Sequence, residues 1–296
     1  MKQSVFISPF VDRGFKILFG QENSKELLID LLNDLLEGER HIEDLTYMNT
    51  EKPPETSDGR TAVFDLRCKD KDGNMFIVEM QNCNQPYIYE RGLYYICRAI
   101  AGQDKIGDGW NFDIVPVYGI FFLNFKSGKT NKVRTDIILA DKETGEPVSK
   151  MIREIFIEFP LFNKTEEECE TPLDYWLYNL KHMEKLESLQ FKGQKARFQR
   201  LEELARIVNM IKKERDEYEA CLKVYRDNYN TWNYMKEQAI AEGIAEGRAK
   251  GLAEGRAEGK AEGLAEVARN LKNKGISVDL IAECTGLSIE EIENID

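Results

Sequence analysis

Two acids and an amide stand at the ends of two short apolar segments, in a pattern that suits a metal-binding site. Asp65 closes the segment TAVFD, and Glu79 and Gln81 close the segment MFIVEMQ. Successive side chains of a strand point to opposite faces, so Glu79 and Gln81 share one face while the apolar residues between them share the other. The apolar face can pack on a core while the polar face lines a cleft.

The length of the turn between the two segments decides whether Asp65 meets Glu79. A three-residue turn at residues 71–73 pairs Asp65 with Glu79, and directly opposed side chains have Cβ atoms about 4.5–5.5 Å apart. A two-residue Asp-Gly turn, the commoner hairpin connection, pairs Asp65 with Met80 and puts the acids on opposite faces. The metal-site hypothesis therefore requires the odd-length turn or a bulge. A surface hairpin with scattered charges is the competing interpretation.

Carboxylate oxygens on adjacent strands predict a particular metal chemistry. Hard oxygen ligands favour Mg²⁺, with Mn²⁺ or Ca²⁺ as alternatives, over zinc. Such a metal polarises a phosphate and lowers the pKa of a bound water. The pattern thus indicates a phosphodiesterase in which Asp65 and Glu79 hold the metal.

The segment resembles the core of the PD-(D/E)XK nuclease superfamily, in which an Asp is followed after a spacer by Asp or Glu, any residue, and Lys. It is more narrowly similar to the PD-(D/E)XK family transposases, also called recombination-promoting nucleases, in which Gln replaces that Lys. Asp65, Glu79 and Gln81 match the three positions. The resemblance extends over nearly the whole chain through VDRGFKILFG (11–20), YERGLYYICRAI (89–100), DYWLYNLKHMEKL (174–186) and the Glu-Gly-rich tail.

The resemblance implies an α/β fold with a restriction-endonuclease-like core, a central mixed sheet flanked by helices, and DNA as the substrate. Gln81 departs from the superfamily pattern because it brings no positive charge and can orient water only through its amide. Lys16 and Arg60 are candidates for a compensating cation, with solvated side chains as the alternative. Asp12 is a candidate third metal ligand, with a helix N-cap as the alternative.

Basic residues that could contact DNA occur in several segments. Arg91 stands one helical turn before Tyr95, where it either contacts phosphate or braces its helix on the sheet. The loop 125–134 is a second source, unless it is a solvated hairpin, and the stretch 181–200 is a third, unless it is a charged helix face. The candidates are Arg60, Arg91, Lys129, Lys132, Arg134, Lys192, Lys195 and Arg197.

Composition narrows the class of protein. The chain has 296 residues and a net charge of −12, which argues against a generally basic nucleic-acid binder and leaves DNA contact to local patches. The six cysteines form no Cys-x-x-Cys pair and only His41 and His182 offer imidazole, so a structural zinc site is not expected. The N-terminus lacks a long apolar segment and the longest apolar run is too short to span a bilayer. We expect a cytoplasmic protein with no membrane partner.

Changes in pattern divide the chain into four predicted parts. Residues 1–160 form the nuclease-like core, 161–235 a helical extension with one amphipathic helix over 201–227, 236–265 an Ala-Glu-Gly repeat, and 266–296 a small interaction module that resembles a helix-turn-helix. The repeat has glycine at every fourth position from Gly243 to Gly263. Interior glycines cost about 1 kcal/mol each, so the repeat is either a helix that pairs with a partner or with another copy, the latter giving a homo-oligomer, or a partly helical linker.

Two functions from different classes remain open at this stage. The first is a metal-dependent DNA endonuclease with an oligomerising or regulatory tail, connected with mobile DNA, recombination or phage defence. The second is a catalytically inactive relative that keeps the fold and binds DNA or a protein. The acid pair Asp65 and Glu79 favours the first function, and the replacement of Lys by Gln81 favours the second.

Overall fold

The computed structural model describes residues 4–52, 62–103, 111–191 and 196–295. Its strands are β1 Leu45–Tyr47, β2 Glu51–Lys52, β3 Ala62–Val63, β4 Leu66–Asp70, β5 Met75–Gln81, β6 Val117–Leu123, β7 Arg134–Ala140 and β8 Pro147–Glu158. Its α-helices are α1 Asp12–Phe19, α2 Lys25–Leu35, α3 Ile88–Ala101, α4 Pro172–His182, α5 Ala196–Ala205, α6 Lys212–Asn273, α7 Val278–Thr285 and α8 Ile289–Glu293.

A six-stranded mixed sheet organises the N-terminal part of the chain, and it confirms the predicted α/β class. The strand order is β1-β4-β5-β6-β8-β7. The central strands β5, β6 and β8 run parallel to one another, and the outer pairs are antiparallel. All seven residues of β6 are buried, as expected for a central parallel strand that is covered on both faces.

Helices cover both faces of this sheet. On one face α1, α2, α4 and α5 form a large apolar core with the strands, which includes Phe15, Leu28, Val78, Phe122 and Trp176. On the other face α3 covers a smaller core that includes Ile77, Ile96 and Phe121. Gly92 lets α3 lie close to the sheet, because a Cβ at this position would come within 3.0 Å of the Phe121 ring. The strand face that carries Glu79 is therefore the face beneath α3.

Residues 1–225 form one compact unit, so the helices that follow the sheet share its core. The single helix predicted over 201–227 is wrong, because α5 ends at Ala205 and α6 begins at Lys212. The N-terminal segment pairs with the chain at this break. Ile7 N–H donates to Ala205 O over 2.9 Å, and Ile207 N–H donates to Val5 O over 3.1 Å. These bonds take up main-chain groups that a continuous helix would use itself.

Residues 226–296 form a second unit. The Ala-Glu-Gly repeat lies within α6, and a small core of Ala268, Ile281 and Ile292 closes the end of this unit. Helix α7 ends at Gly286, whose φ of 73° is the left-handed conformation that glycine favours. Helix α8 begins with a capping box between Ser288 and Glu291. None of the helices that the structure describes is long and apolar enough to cross a membrane.

Candidate active site

The hairpin of β4 and β5 has the odd-length turn that the metal-site hypothesis requires. Leu66 pairs with Val78 and Lys69 with Met75, and Asp70 N–H donates to Asn74 O over 3.0 Å, which leaves three residues in the turn. Gly73 occupies its last position with φ at 89°. The same register continued by one residue brings Asp65, at a bend just before β4, opposite Glu79.

Hydrogen bonds join the two acidic residues directly. The main-chain N–H of Asp65 donates to Oε1 of Glu79 over 3.1 Å, and Oδ2 of Asp65 accepts from the Met80 main-chain N–H over 2.8 Å. Glu79 is only 1% exposed. Each carboxylate thus accepts a main-chain hydrogen bond from the segment opposite it.

Burial disfavours two negative charges on this pair of carboxyl groups. Desolvation and then the charge of Asp65 raise the pKa of Glu79 to about 8, although Arg91 and the bonds from Asp65 N–H and Gln81 partly oppose the shift. The pKa of Asp65 is also raised, first by burial and then by the charge of Asp12. Two desolvated carboxyl groups with raised pKa values are a site that gains stability from a bound cation.

Gln81 and Arg91 complete the polar cluster around Glu79. The Gln81 amide donates to Oε2 of Glu79 over 2.8 Å, and Arg91 Nη2 lies 3.9 Å from the same carboxylate oxygen. Arg91 also donates to Gln81 Oε1 over 3.5 Å and to Gln85 Oε1 over 2.9 Å. Its Nε donates to the hydroxyl of Tyr95 over 2.8 Å. Arg91 therefore places a positive charge beside the position where the superfamily has lysine, and sequence reasoning missed this role.

Asp12 and Lys16 lie close enough to Asp65 for their charges to act on its pKa, which Asp12 raises and Lys16 lowers. Lys16 Nζ is 2.8 Å from Oδ1 of Asp12, one turn apart on α1. Val11, not Asp12, occupies the N-cap position. The described ranges contain no group of three or more His, Cys, Asp or Glu side chains that could hold a metal ion, so Asp12 is not assembled with Asp65 and Glu79 into a three-acid set.

The lysine loop, residues 124–133, follows β6 at the same edge of the sheet as Gln81. Asn124 N–H donates to Gln81 O over 2.9 Å, which ties the start of the loop to the end of β5. Glu158, a buried residue at the end of β8, accepts from Ser127 N–H over 2.8 Å and from Ser127 Oγ over 2.6 Å. The exposed side chains of Lys126, Lys129 and Lys132 therefore belong to an anchored loop beside the site. No local pattern in the sequence signals the anchoring role of Glu158.

The structure places Arg134 and Arg197 away from this cluster. Arg134 pairs with Asp136 at 2.8 Å and donates to Leu35 O over 2.9 Å, on the sheet face that α2 covers. Arg197 is paired with Asp34 of α2. Arg60, Lys192 and Lys195 lie outside the described residues. Of the predicted DNA contacts, the structure thus brings Arg91, Lys129 and Lys132 to the edge of the sheet that carries the acids.

The donor set agrees with a hard divalent cation. Asp65 and Glu79 supply two carboxylates and Gln81 supplies an amide, and no sulfur or imidazole takes part in the contacts described above. Mg²⁺ commonly keeps several waters and binds one or two protein carboxylates, so two acids suffice for it. Burial raises the pKa of both acids, and a bound cation would favour their charged forms.

A mixed sheet whose hairpin joins two acids beneath a covering helix is consistent with the PD-(D/E)XK class of nuclease folds. The sequence profile of the family described as PD-(D/E)XK nuclease family transposase matches residues 9–235, and the chain belongs to this family. Comparison with curated proteins and with solved structures gave no match. The match ends within α6, so it includes the sheet, the site and the helices that pack on the sheet.

Proposed function

We propose that this protein is a DNA endonuclease that hydrolyses phosphodiester bonds with a divalent metal ion, Mg²⁺ in the first instance. The observation that carries the proposal is the contact between Asp65 and Glu79, two desolvated carboxyl groups with raised pKa values. Membership of the nuclease family supports the reaction class. The metal dependence and the residue roles are our inference.

Each residue of the site has a distinct role in this proposal. Asp65 and Glu79 hold the metal, which when bound polarises the scissile phosphate and activates water. Gln81 keeps Glu79 in place and orients a water molecule through its amide. Arg91 offsets the negative charge of the pair and of the phosphate. The charge of Lys16 lowers the pKa of Asp65 and so favours its charged form.

The lysine loop gives the DNA backbone a place to bind beside these groups. Lys126, Lys129 and Lys132 are exposed, and within the part of the chain that the structure describes no ion pair engages them. Phosphate neutralisation by such residues adds affinity without sequence preference. The family description connects the protein with transposition, and we extend this to a role with mobile DNA, recombination or phage defence.

The C-terminal unit adds an oligomerisation role to the proposal. The glycines from Gly243 to Gly263 have nothing within 4 Å of a Cβ position, so their helix surface is open. Close approach of two such helices would recover part of the cost of about 1 kcal/mol that each glycine imposes on the helix. In our proposal this surface of α6 binds the same surface of a second copy of the chain.

A plasmid-nicking assay with Mg²⁺, Mn²⁺ or Ca²⁺ tests the endonuclease function. Loss of a metal ligand should lower cleavage by at least about a hundredfold in Asp65→Ala and Glu79→Gln. Asp72→Asn is the matched control, because this acid lies in the turn of the same hairpin with its side chain 82% exposed. If wild type and Asp65→Ala are equally inert while both bind DNA, the protein is a binding relative and the endonuclease proposal fails.

A further inference from the structure

Four residues along one side of α3 form a surface, and three of them, all except Arg91, have no role in the proposed reaction. Tyr87, Arg91, Tyr94 and Arg98 follow the spacing i, i+4, i+7 and i+11, which places them within about 60° of one another around the helix axis. Tyr87, at the N-cap, is 72% exposed and Tyr94 is 47% exposed. Because Arg91 contacts both Glu79 and Gln81, this side of α3 begins at the carboxylate pair.

We propose that this side of α3 binds a single-stranded DNA segment next to the cleavage site, with Tyr94 and Tyr87 as stacking platforms for unpaired bases. The inference rests on the proposed nuclease function, since it concerns the substrate of the same site. Stacking of a base on an aromatic side chain is largely independent of sequence, because every base has a π-face. Only an unpaired base can offer that face to an exposed ring.

The ring of Tyr94 is held in position by its neighbour on the next turn. The Arg98 guanidinium lies 5.8 Å from the centre of the Tyr94 ring, and Arg98 Nη1 donates to the Tyr94 hydroxyl over 3.0 Å. A ring that is already oriented loses less freedom when a base stacks on it. Arg98 is thus a positioning residue for Tyr94 in this proposal.

The two edges of this surface carry opposite charges. Tyr87 and Tyr94 lie between Arg91 on one side and the exposed Glu90 on the other, by the 100° step of the helix. Phosphates are attracted to the arginine and repelled by the glutamate. The backbone of a bound strand therefore runs along the arginine edge, toward the carboxylate pair, while its bases reach over the tyrosine rings.

The overall charge of the chain favours this mode over generic duplex binding. A net charge of −12 gives little long-range attraction for a phosphate backbone, so affinity depends on short-range contacts. The two tyrosines supply stacking, and Arg91 supplies a phosphate contact at their edge. A duplex hides its base faces, so on this side of α3 it gains only the arginine contact.

Fluorescence anisotropy with a labelled oligothymidylate and a blunt duplex of equal length tests the surface on the full-length protein. The measurement is made in EDTA, so it does not depend on cleavage. Tyr94→Ala should weaken binding of the single strand about tenfold and leave duplex binding unchanged, whereas Tyr94→Phe, which keeps the ring and loses only the hydroxyl bond to Arg98, should keep most of the affinity. Leu93→Ala is the matched control, because Leu93 is also 47% exposed but lies on a different side of α3.

Equal losses in Leu93→Ala and Tyr94→Ala would overturn the proposal, as would a loss that appears only as reduced self-association of the protein. Equal affinity of wild type for the single strand and the duplex would also overturn it. A loss confined to Tyr94→Ala supports the stacking surface even if wild type nicks no plasmid, and in that case only the endonuclease function fails.

Discussion

The main-chain N–H of Asp65 lies 3.1 Å from Oε1 of Glu79, so one hydrogen bond joins the first acid of the site to the second. This bond exists only because the connecting turn has three residues. A turn shorter by one residue would place Asp65 opposite Met80 and move one acid to the other face of the sheet. The chemistry of the site is therefore set by the conformation of the turn at residues 71–73.

Gly73 is the residue on which that turn depends, and its substitution should weaken the fold. Its φ of 89° lies in the left-handed region, where a Cβ is disfavoured. We expect Gly73→Ala to lower the free energy of unfolding by about 1 kcal/mol, and Gly73→Asn to lower it less because Asn tolerates this region better. Urea denaturation followed by circular dichroism measures both. Equal losses in the two variants would show that conformation at this position is not the cause.

A lysine at position 81 should be able to replace Arg91, so the effects of the two substitutions on cleavage should not be additive. Arg91 already lies 3.9 Å from Glu79 and 3.5 Å from Gln81, so Gln81→Lys puts a second cation against it and removes the Gln81 Oε1 that accepts from Arg91. We expect Gln81→Lys alone to lower cleavage about tenfold, as should Arg91→Gln alone. The double variant should recover most of the loss.

The measurement is a double-mutant cycle on the plasmid-nicking rate, with Gln85→Ala as the control that removes another partner of Arg91 without touching Glu79. Additive losses would show that Arg91 does not stand in for the superfamily lysine.

The sequence could predict the parts of this site that depend on local interactions, and not the parts that depend on packing between distant segments. Alternation along β5 and the length of the turn are local properties, so the opposition of Asp65 and Glu79 could be derived as one of two registers. The family resemblance favoured the correct one, and it is confirmed together with the mixed sheet. The contact between Arg91 and Gln81 depends on how α3 packs on the sheet. The spacing of residues within one helix does not determine that packing.

The break between α5 and α6 escaped prediction for a similar reason. The amphipathic pattern over 201–227 is helical throughout, and only the pairing of Val5 and Ile7 with Ala205 and Ile207 interrupts it. Those partners lie about two hundred residues apart in the sequence, and no local pattern signals such a contact. Arg134 and Arg197 are comparable cases, since Leu35 O and Asp34, which accept from them, belong to α2.

Glu154 should make the stability of the protein depend on pH. It lies in β8 between Gly119 and Ile137 of the neighbouring strands, is 3% exposed, and its buried Oε1 accepts no hydrogen bond from the described residues. Burial raises its pKa from the ordinary value of 4.5 to about 7. The folded state thus holds a proton that the unfolded state releases between these two values.

Stability from this group is therefore fully present below pH 4.5, falls as the pH rises, and is lost above pH 7. The loss amounts to at most about 3 kcal/mol. Glu154→Gln cannot ionise, so the difference in unfolding free energy between this variant and wild type should shift in favour of the variant from pH 5 to pH 8. Chemical denaturation at a series of pH values measures it, and a constant difference would contradict the prediction.

The glycines of α6 should matter for association through their small size and not through flexibility. A step of four residues turns about 400° around the helix, so successive glycines are offset by only about 40° and neighbours such as Gly251 and Gly255 offer a common side for close contact with a second helix. Replacing Gly251 and Gly255 by Gln adds bulk, and replacing them by Ala keeps the surface small, while both changes improve helix propensity by a similar amount.

We expect the Gln variant of the full chain to associate more weakly than wild type and the Ala variant at least as strongly. Sedimentation velocity over a wide concentration range measures this association. If both variants associate like wild type, the stripe is not the contact, and if wild type stays monomeric at every concentration the proposed pairing of two copies is wrong.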